Sequence, residues 1–195
     1  MTHTTRLKDI ASLNLGRPFR RKLEHDSSGT VCIIQNRDIL PDSTIDYNNC
    51  LRLSPFDVSD KHRVNKGDIL FRSRGPDTCS AIIEEETEEA VFASPLMKIE
   101  VNDREQVLPE YLNWFLNQRP SQAYYANNRR GSVVMMISIS TLSELPVFIP
   151  ELKKQKGFVE FSELIKRERR TSEKLSEKRE KISLAILERT MKGEA

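Results

Sequence analysis

Three stretches of this 195-residue chain gather side chains suited to gripping a polyanion: Arg17, Arg20, Arg21 and Lys22; Arg72, Ser73 and Arg74; and Asn127, Asn128, Arg129 and Arg130. Lys and Arg neutralise phosphate charge, and Arg, Lys, Asn and Gln form paired hydrogen bonds with the edges of heterocyclic bases. Each stretch lies between apolar runs and is expected on a loop, where charge is also common for reasons of solvation alone. Tyr124 and Tyr125 sit at helical spacing beside Ala123 and are expected to pack rather than to touch a ligand, and Met135 and Met136 are expected to fill core and edge.

Other chemistry is missing from the pattern. There is no GxxxxGK[ST], GxGxxG, GxSxG or HExxH signature, so nothing invites a bound cofactor. The three histidines (His3, His25, His62) are scattered, and the three cysteines (Cys32, Cys50, Cys79) form neither a CxxC clip nor a disulfide framework. Pro76-Asp77 and Glu151-Leu152-Lys153 can be strung into a nuclease-like pattern, but the gap is long and Glu151 opens a helix.

The net charge is only +2, yet it is unevenly spread. Residues 1–75 carry 13 basic and 9 acidic groups, residues 76–110 carry 2 and 10, residues 111–150 carry 3 and 1, and residues 151–195 carry 13 and 9. A basic head and tail are thus masked by one acidic turn containing Glu84, Glu85, Glu86, Glu88 and Glu89. No apolar run reaches the roughly 18 residues that span a membrane. The first residues lack the apolar stretch of a signal peptide, so the chain is expected to be soluble, in a reducing compartment, the cytoplasm.

The elements that must position these groups fall into two regimes. Residues 30–35, 50–53, 69–71, 80–83, 95–101, 133–139 and 145–150 read as strands, with Pro146 marking an edge. Residues 108–118 read as an amphipathic helix with Pro109 in its first turn, and residues 121–126 as a second short helix after Pro120. Beyond Pro150 there is no proline, and residues 151–192 read as one helix of roughly 60 Å. Its apolar seam runs through Phe158, Phe161, Ile165, Leu175, Ile182 and Ile186, broken by Glu168, Ser172 and Arg179. Such a seam is expected to need a partner helix. The expected class is α+β: a mostly β domain with short helices over residues 1–150, then one long C-terminal coiled-coil helix over residues 151–195.

The order of motifs resembles a known family. Arg6-Leu7-Lys8-Asp9-Ile10-Ala11, Gly16, Pro18-Phe19, Arg37-Asp38-Ile39, Lys66-Gly67-Asp68-Ile69-Leu70-Phe71 and Gly75 come first. Leu108-Pro109-Glu110-Tyr111-Leu112, Phe115-Leu116, Gly131-Ser132, Leu142, Leu145, Ile149-Pro150, Leu152 and Gln155 follow. Over essentially its whole length the chain resembles the DNA specificity (S) subunit of type I restriction–modification systems, in a half-length form with a single target recognition domain and a single helix. Lys154 stands where the family usually has Glu.

The resemblance implies a non-catalytic subunit that binds one half of a split site in double-stranded DNA and brings methyltransferase (M) subunits, and a restriction (R) subunit, to it. S-adenosylmethionine would bind the methyltransferase, so no cofactor is expected here. Arg20, Arg21 and Lys22 are then the candidates for phosphate contacts, and Arg72, Arg74, Asn128, Arg129 and Arg130 for groove contacts. Two copies would pair antiparallel through the helical seam and read an interrupted palindrome. The rival readings are a non-DNA-binding interaction module on a coiled-coil stalk and a metal-dependent nuclease.

Overall fold

The structure, a computed structural model, describes residues 3–75, 77–85, 89–128 and 136–191. It divides into two compact units, Met1–Lys156 and Gly157–Ala195. In chain order the first unit runs β1 (His3–Arg6), α1 (Leu7–Ile10), β2 (Ala11–Leu15), β3 (Val31–Ile34), β4 (Leu51–Leu53), β5 (Ile69–Arg72), β6 (Cys79–Ile82), β7 (Ala90–Phe92), β8 (Leu96–Val101), α2 (Pro109–Leu116), α3 (Arg119–Asn128), α4 (Ile139–Ser143) and β9 (Pro146–Ile149). Short 3-10 turns lie at Asn36–Asp38 and Asp60–His62. Helix α5 (Leu152–Met191) starts in the first unit and makes up the described part of the second. This is the α+β arrangement, strands with short helices followed by one long helix.

The strands form a four-stranded antiparallel sheet in the order β2-β8-β5-β6 and a three-stranded sheet in the order β4-β3-β7, with β3 parallel to β7. A strand flanked on both sides and covered on both faces is apolar throughout, which is why β3 reads Val31-Cys32-Ile33-Ile34 and is wholly buried. Leu70, Ala81 and Leu96 of the larger sheet and Ile34, Ala90 and Phe92 of the smaller one share a core. The other face of the smaller sheet, through Val31, Ile33 and Val91, is covered by Phe19, Leu23 and Phe56. Strands β1 and β9 form a separate ribbon, Arg6 facing Pro146 and His3 facing Ile149.

Two motif aspartates turn out to be turn-builders. Asp38 accepts the backbone N–H of Gln35 at 2.7 Å, and Asp68 that of Asn65 at 2.9 Å. Burial pushes both carboxyls up from the ordinary range. Asp68 is offset by the buried Lys98, whose Nζ lies 3.3 Å from it and donates to the Arg63 carbonyl at 3.0 Å. Side chains also finish sheet edges. Asn117, the C-cap of α2, accepts the Ser80 N–H at 2.9 Å and donates to the Ser80 carbonyl at 3.0 Å, pairing with β6 as a strand would.

The strand expected over residues 133–139 is absent from its described part, residues 136–139. Residues 133–135 lie outside the described residues, Met136 makes one isolated bridge to Arg74, and α4 begins at Ile139. The reason is a cap: the Ser138 hydroxyl accepts the Thr141 N–H at 3.1 Å and starts a helical turn that a strand cannot match. Met136 is accordingly exposed rather than core filler. The acidic connection expected to run on to the strand at residue 95 is interrupted by β7, which the chain enters directly after Glu89; Glu86 and Glu88 lie outside the described residues.

Candidate nucleic-acid interface

The turn between β7 and β8, residues 93–95, is where two of the three basic stretches meet. On one side, Gly16 and Arg17 run along it: Arg17 N–H donates to the Phe92 carbonyl at 3.0 Å, Ser94 N–H to the Arg17 carbonyl at 3.0 Å, and Gly16 N–H to the Leu96 carbonyl at 2.9 Å. The approach is close enough that a Cβ at Gly16 would overlap the Ala93 backbone. On the other side, the Ser73 hydroxyl donates to the Pro95 carbonyl at 2.6 Å. The end of β3 joins them, with Ala93 N–H on the Ile34 carbonyl at 2.8 Å.

Arg17, grouped by sequence with its basic neighbours, is a packing residue. Its guanidinium lies 4.8 Å from the Phe56 ring centre and 5.7 Å from that of Phe19, and donates to the Asp57 carbonyl at 2.5 Å. That seat fixes the base of the segment from which Arg20, Arg21 and Lys22 extend, all three exposed.

Arg72 ends β5 half-buried, with one terminal nitrogen on the Ile39 carbonyl at 3.2 Å. Arg74 is exposed, and its backbone carbonyl accepts a 2.8 Å hydrogen bond from the Asn36 side chain. Gly75 follows at φ +128°, a conformation that other residues rarely take. Asn128 closes α3 exposed, with its amide on the Tyr124 carbonyl at 2.8 Å. Arg129 and Arg130 lie outside the described residues. The chain returns at Met136, bridged to Arg74, with Ile137 N–H on the Ser73 carbonyl at 2.9 Å. Gln122 of α3 donates to the Thr78 carbonyl at 3.0 Å and steadies the far side of the arginine loop. Tyr125 is fully buried, its ring edge-on to Phe71 at 5.2 Å, and Tyr124 donates to the Thr141 carbonyl at 2.9 Å, so both tyrosines pack.

Arg20, Arg21, Lys22 and Arg74 are thus exposed cations of the type that neutralises phosphate, the last of them carried on a braced loop. Among the described residues no three His, Cys, Asp or Glu side chains gather into a group that could hold a metal ion. Sequence reasoning overlooked Asn36, whose only cue is its place after a buried strand, and the support Arg17 takes from Phe56, which no local pattern signals.

The type I restriction modification DNA specificity domain matches residues 2–182 of this sequence. The chain belongs to that family. Solved structures agree on the fold. The S subunit of a type I restriction–modification system from M. genitalium matches with a TM-score of 0.58 at 12% identity, over 86% of this chain and 39% of that one. A chain from a structure of type I R-M complex assembly and conformational transition matches with a TM-score of 0.69 at 14% identity, over 100% of this chain and 46% of that one. The HsdS subunit from Thermoanaerobacter tengcongensis matches with a TM-score of 0.57 at 15% identity, over 86% and 37%. The chain therefore spans less than half the length of each of these matched chains. A comparison with curated protein sequences found no match.

One feature of the specificity-domain family's motif order acquires a physical role here. Gln155, fully buried at the start of α5, accepts the Leu108 N–H at 2.9 Å and donates to the Gln106 and Pro150 carbonyls, each at 2.8 Å. It bolts the start of the helix to the segment that leads into α2. Lys154, the departure from the usual Glu, is exposed beside it.

Proposed function

We propose that this chain is a DNA specificity subunit of a type I restriction–modification system, with residues 1–150 as a target recognition domain and residues 151–195 as a spacer and dimerisation helix. The observation that carries the reading is the meeting of the Arg17–Lys22 stretch and the Arg72–Arg74 loop at one turn of a chain that belongs to the DNA specificity domain family. Arg20, Arg21 and Lys22 hold phosphates. Arg74 and Asn128, with Arg129 and Arg130, supply groove contacts to one half of a split site, while Arg72, expected among them, is turned to the Ile39 carbonyl and braces the loop.

The chain has no turnover of its own. It acts in the cytoplasm, directing M subunits, and an R subunit where the system has one, to the bound sequence. Two copies pair antiparallel through Phe158, Phe161, Ile165, Leu175, Ile182 and Ile186. Phe161 and Ile182 expose 65% and 60% of their surface, which a stable water-facing helix does not sustain along one stripe. The two-fold pair then reads an interrupted palindrome, with the paired helices fixing the gap between half-sites.

The test is selection from a pool of randomised duplexes by the purified full chain with its methyltransferase. Enrichment of an inverted repeat is expected. Lys22→Ala should weaken binding to all duplexes evenly and lower the salt slope, and Arg129→Ala should relax sequence preference. A failure to bind any duplex at any salt concentration, with methyltransferase present, would overturn the reading in favour of a non-DNA-binding stalked module. Metal-dependent cleavage by the chain alone would overturn it in favour of a nuclease.

A further inference from the structure

The loop that follows β5 is tied down on every side while one long side chain on it is left outside. Arg72 is paired in the sheet with both Cys79 and Leu96 and reaches the Ile39 carbonyl. Ser73 is held through its hydroxyl by Pro95 and through its carbonyl by Ile137. Arg74 is bridged to Met136, and its carbonyl is held by Asn36 Nδ2 at 2.8 Å. Its own side chain is exposed.

Asn36 reaches across 38 positions of sequence to make that bond, and it does so at a cost. Its Oδ1 is buried with no hydrogen-bond partner. An orphaned buried acceptor is destabilising, and a side chain kept in that state has been placed for the bond its other end makes. An apolar residue of similar size would avoid the penalty but would release the Arg74 carbonyl.

We infer that Asn36 is the positioning residue for Arg74, and that Arg74 is the sequence-reading arginine of this loop, directed at a guanine. The inference rests on the reading of the chain as a DNA specificity subunit. A guanidinium discriminates a base most sharply when it meets the O6 and N7 acceptors of guanine together, and a backbone fixed before contact favours that paired geometry. Asn36 touches no base. It sets where the Arg74 side chain leaves the surface.

The experiment is selection from randomised duplexes by the full chain with its methyltransferase, comparing wild type, Arg74→Ala, Asn36→Ala and the double variant, with thermal midpoints and salt slopes measured alongside. Asn36→Asp, equal in size but lacking the Nδ2 donor, serves as a second variant should Asn36→Ala unfold. Wild type is expected to enrich a half-site containing a guanine. Arg74→Ala should lose selectivity at one G·C pair by about five- to a hundredfold, the span of a bidentate contact. Asn36→Ala and Asn36→Asp should lose part of the selectivity at the same pair, with the salt slope unchanged, and neither should add to the loss in the Arg74→Ala background. A loss from Asn36→Ala spread evenly over all positions, or additive with Arg74→Ala, would overturn the inference while leaving the DNA-reading function standing. A wild type that enriches nothing would overturn both.

Discussion

Replacing Gln155 by Ala tests how the start of the long helix is held. Three backbone groups lose a partner at once: the Leu108 N–H, the Gln106 carbonyl and the buried Pro150 carbonyl. At about 1 kcal/mol net for each hydrogen bond, the loss is about 3 kcal/mol. For a unit of this size each kcal/mol moves the midpoint by roughly 2–4 °C, so Gln155→Ala should lower Tm by roughly 6–12 °C. Trp114 is the only tryptophan in the chain and lies in α2, whose preceding residue Leu108 is the one Gln155 grips. Its fluorescence on heating therefore reports on the right place. Gln155→Glu keeps the acceptor for Leu108 but forfeits both donated bonds and buries a charge, so at neutral pH it should do at least as much damage. The exposed neighbour Lys154 supplies the control, and Lys154→Ala should stay within about 0.5 kcal/mol of wild type. A Gln155→Ala shift no larger than that of Lys154→Ala would mean that Gln155 does not hold the start of α5.

Four further outcomes are expected. Gly16→Ala should cost about 1–3 kcal/mol in urea unfolding because its Cβ would overlap the Ala93 backbone, whereas Gly157→Ala, which meets nothing within 4 Å, should stabilise by about 0.5–1 kcal/mol as an ordinary helix substitution. Asp68→Ala should cost about 3–5 kcal/mol by leaving the buried Lys98 with only the exposed Glu100, 3.7 Å away, as counter-charge, and Asp68→Leu with Lys98→Met should recover much of that loss in the same assay. Bonds from the Ser28 hydroxyl, the Ser54 hydroxyl and the Ser28 N–H hold Asp26 down at about 2. Its stabilising contribution is therefore complete above the pKa of an unfolded aspartate and is lost as pH falls from there towards about 2, so acid unfolding of Asp26→Asn should show a shallower pH dependence over that window. Ile165→Glu with Ile182→Glu should abolish self-association in sedimentation velocity while leaving the melting of the first unit unchanged, and an unaltered oligomer would remove the seam from the argument.

Strands whose own residues demand burial were legible in the sequence. Val31-Cys32-Ile33-Ile34, Ile69-Leu70-Phe71 and the alternating run into Val101 are apolar enough to identify themselves, and Pro109 and Pro120 announce their helices. Strand β1 was not legible, because His3-Thr4-Thr5-Arg6 has no apolar residue to announce burial and is held by pairing with residues 146–149, far along the chain. Strand β7 is three residues long and adjoins a run of glutamates, so its charge context outweighed its pattern. The run over residues 133–139 was misleading because β-branched residues lead into Ser138, whose hydroxyl favours a helical start that only the folded backbone reveals. In the candidate site, residue type pointed to the basic loops. Which side chains brace and which reach outward depends on carbonyls at Ile39, Asp57 and Pro95, and these carry no sequence signal.

The β1–β9 ribbon has a consequence for how such a domain can be exchanged. Its two strands run antiparallel in register, Arg6 against Pro146 at one end and His3 against Ile149 at the other. Everything folded between residues 7 and 145 is thus delivered and retrieved through a single clasp, immediately ahead of Gln155 and the helix it anchors. A graft that replaces the interior and keeps the clasp has two junctions, side by side and already hydrogen-bonded to each other. The clasp does not carry the helix by itself: two of the three bonds from Gln155 run to Leu108 and Gln106 inside the exchanged segment, so an insert must offer a backbone N–H and a carbonyl at that place to keep hold of α5.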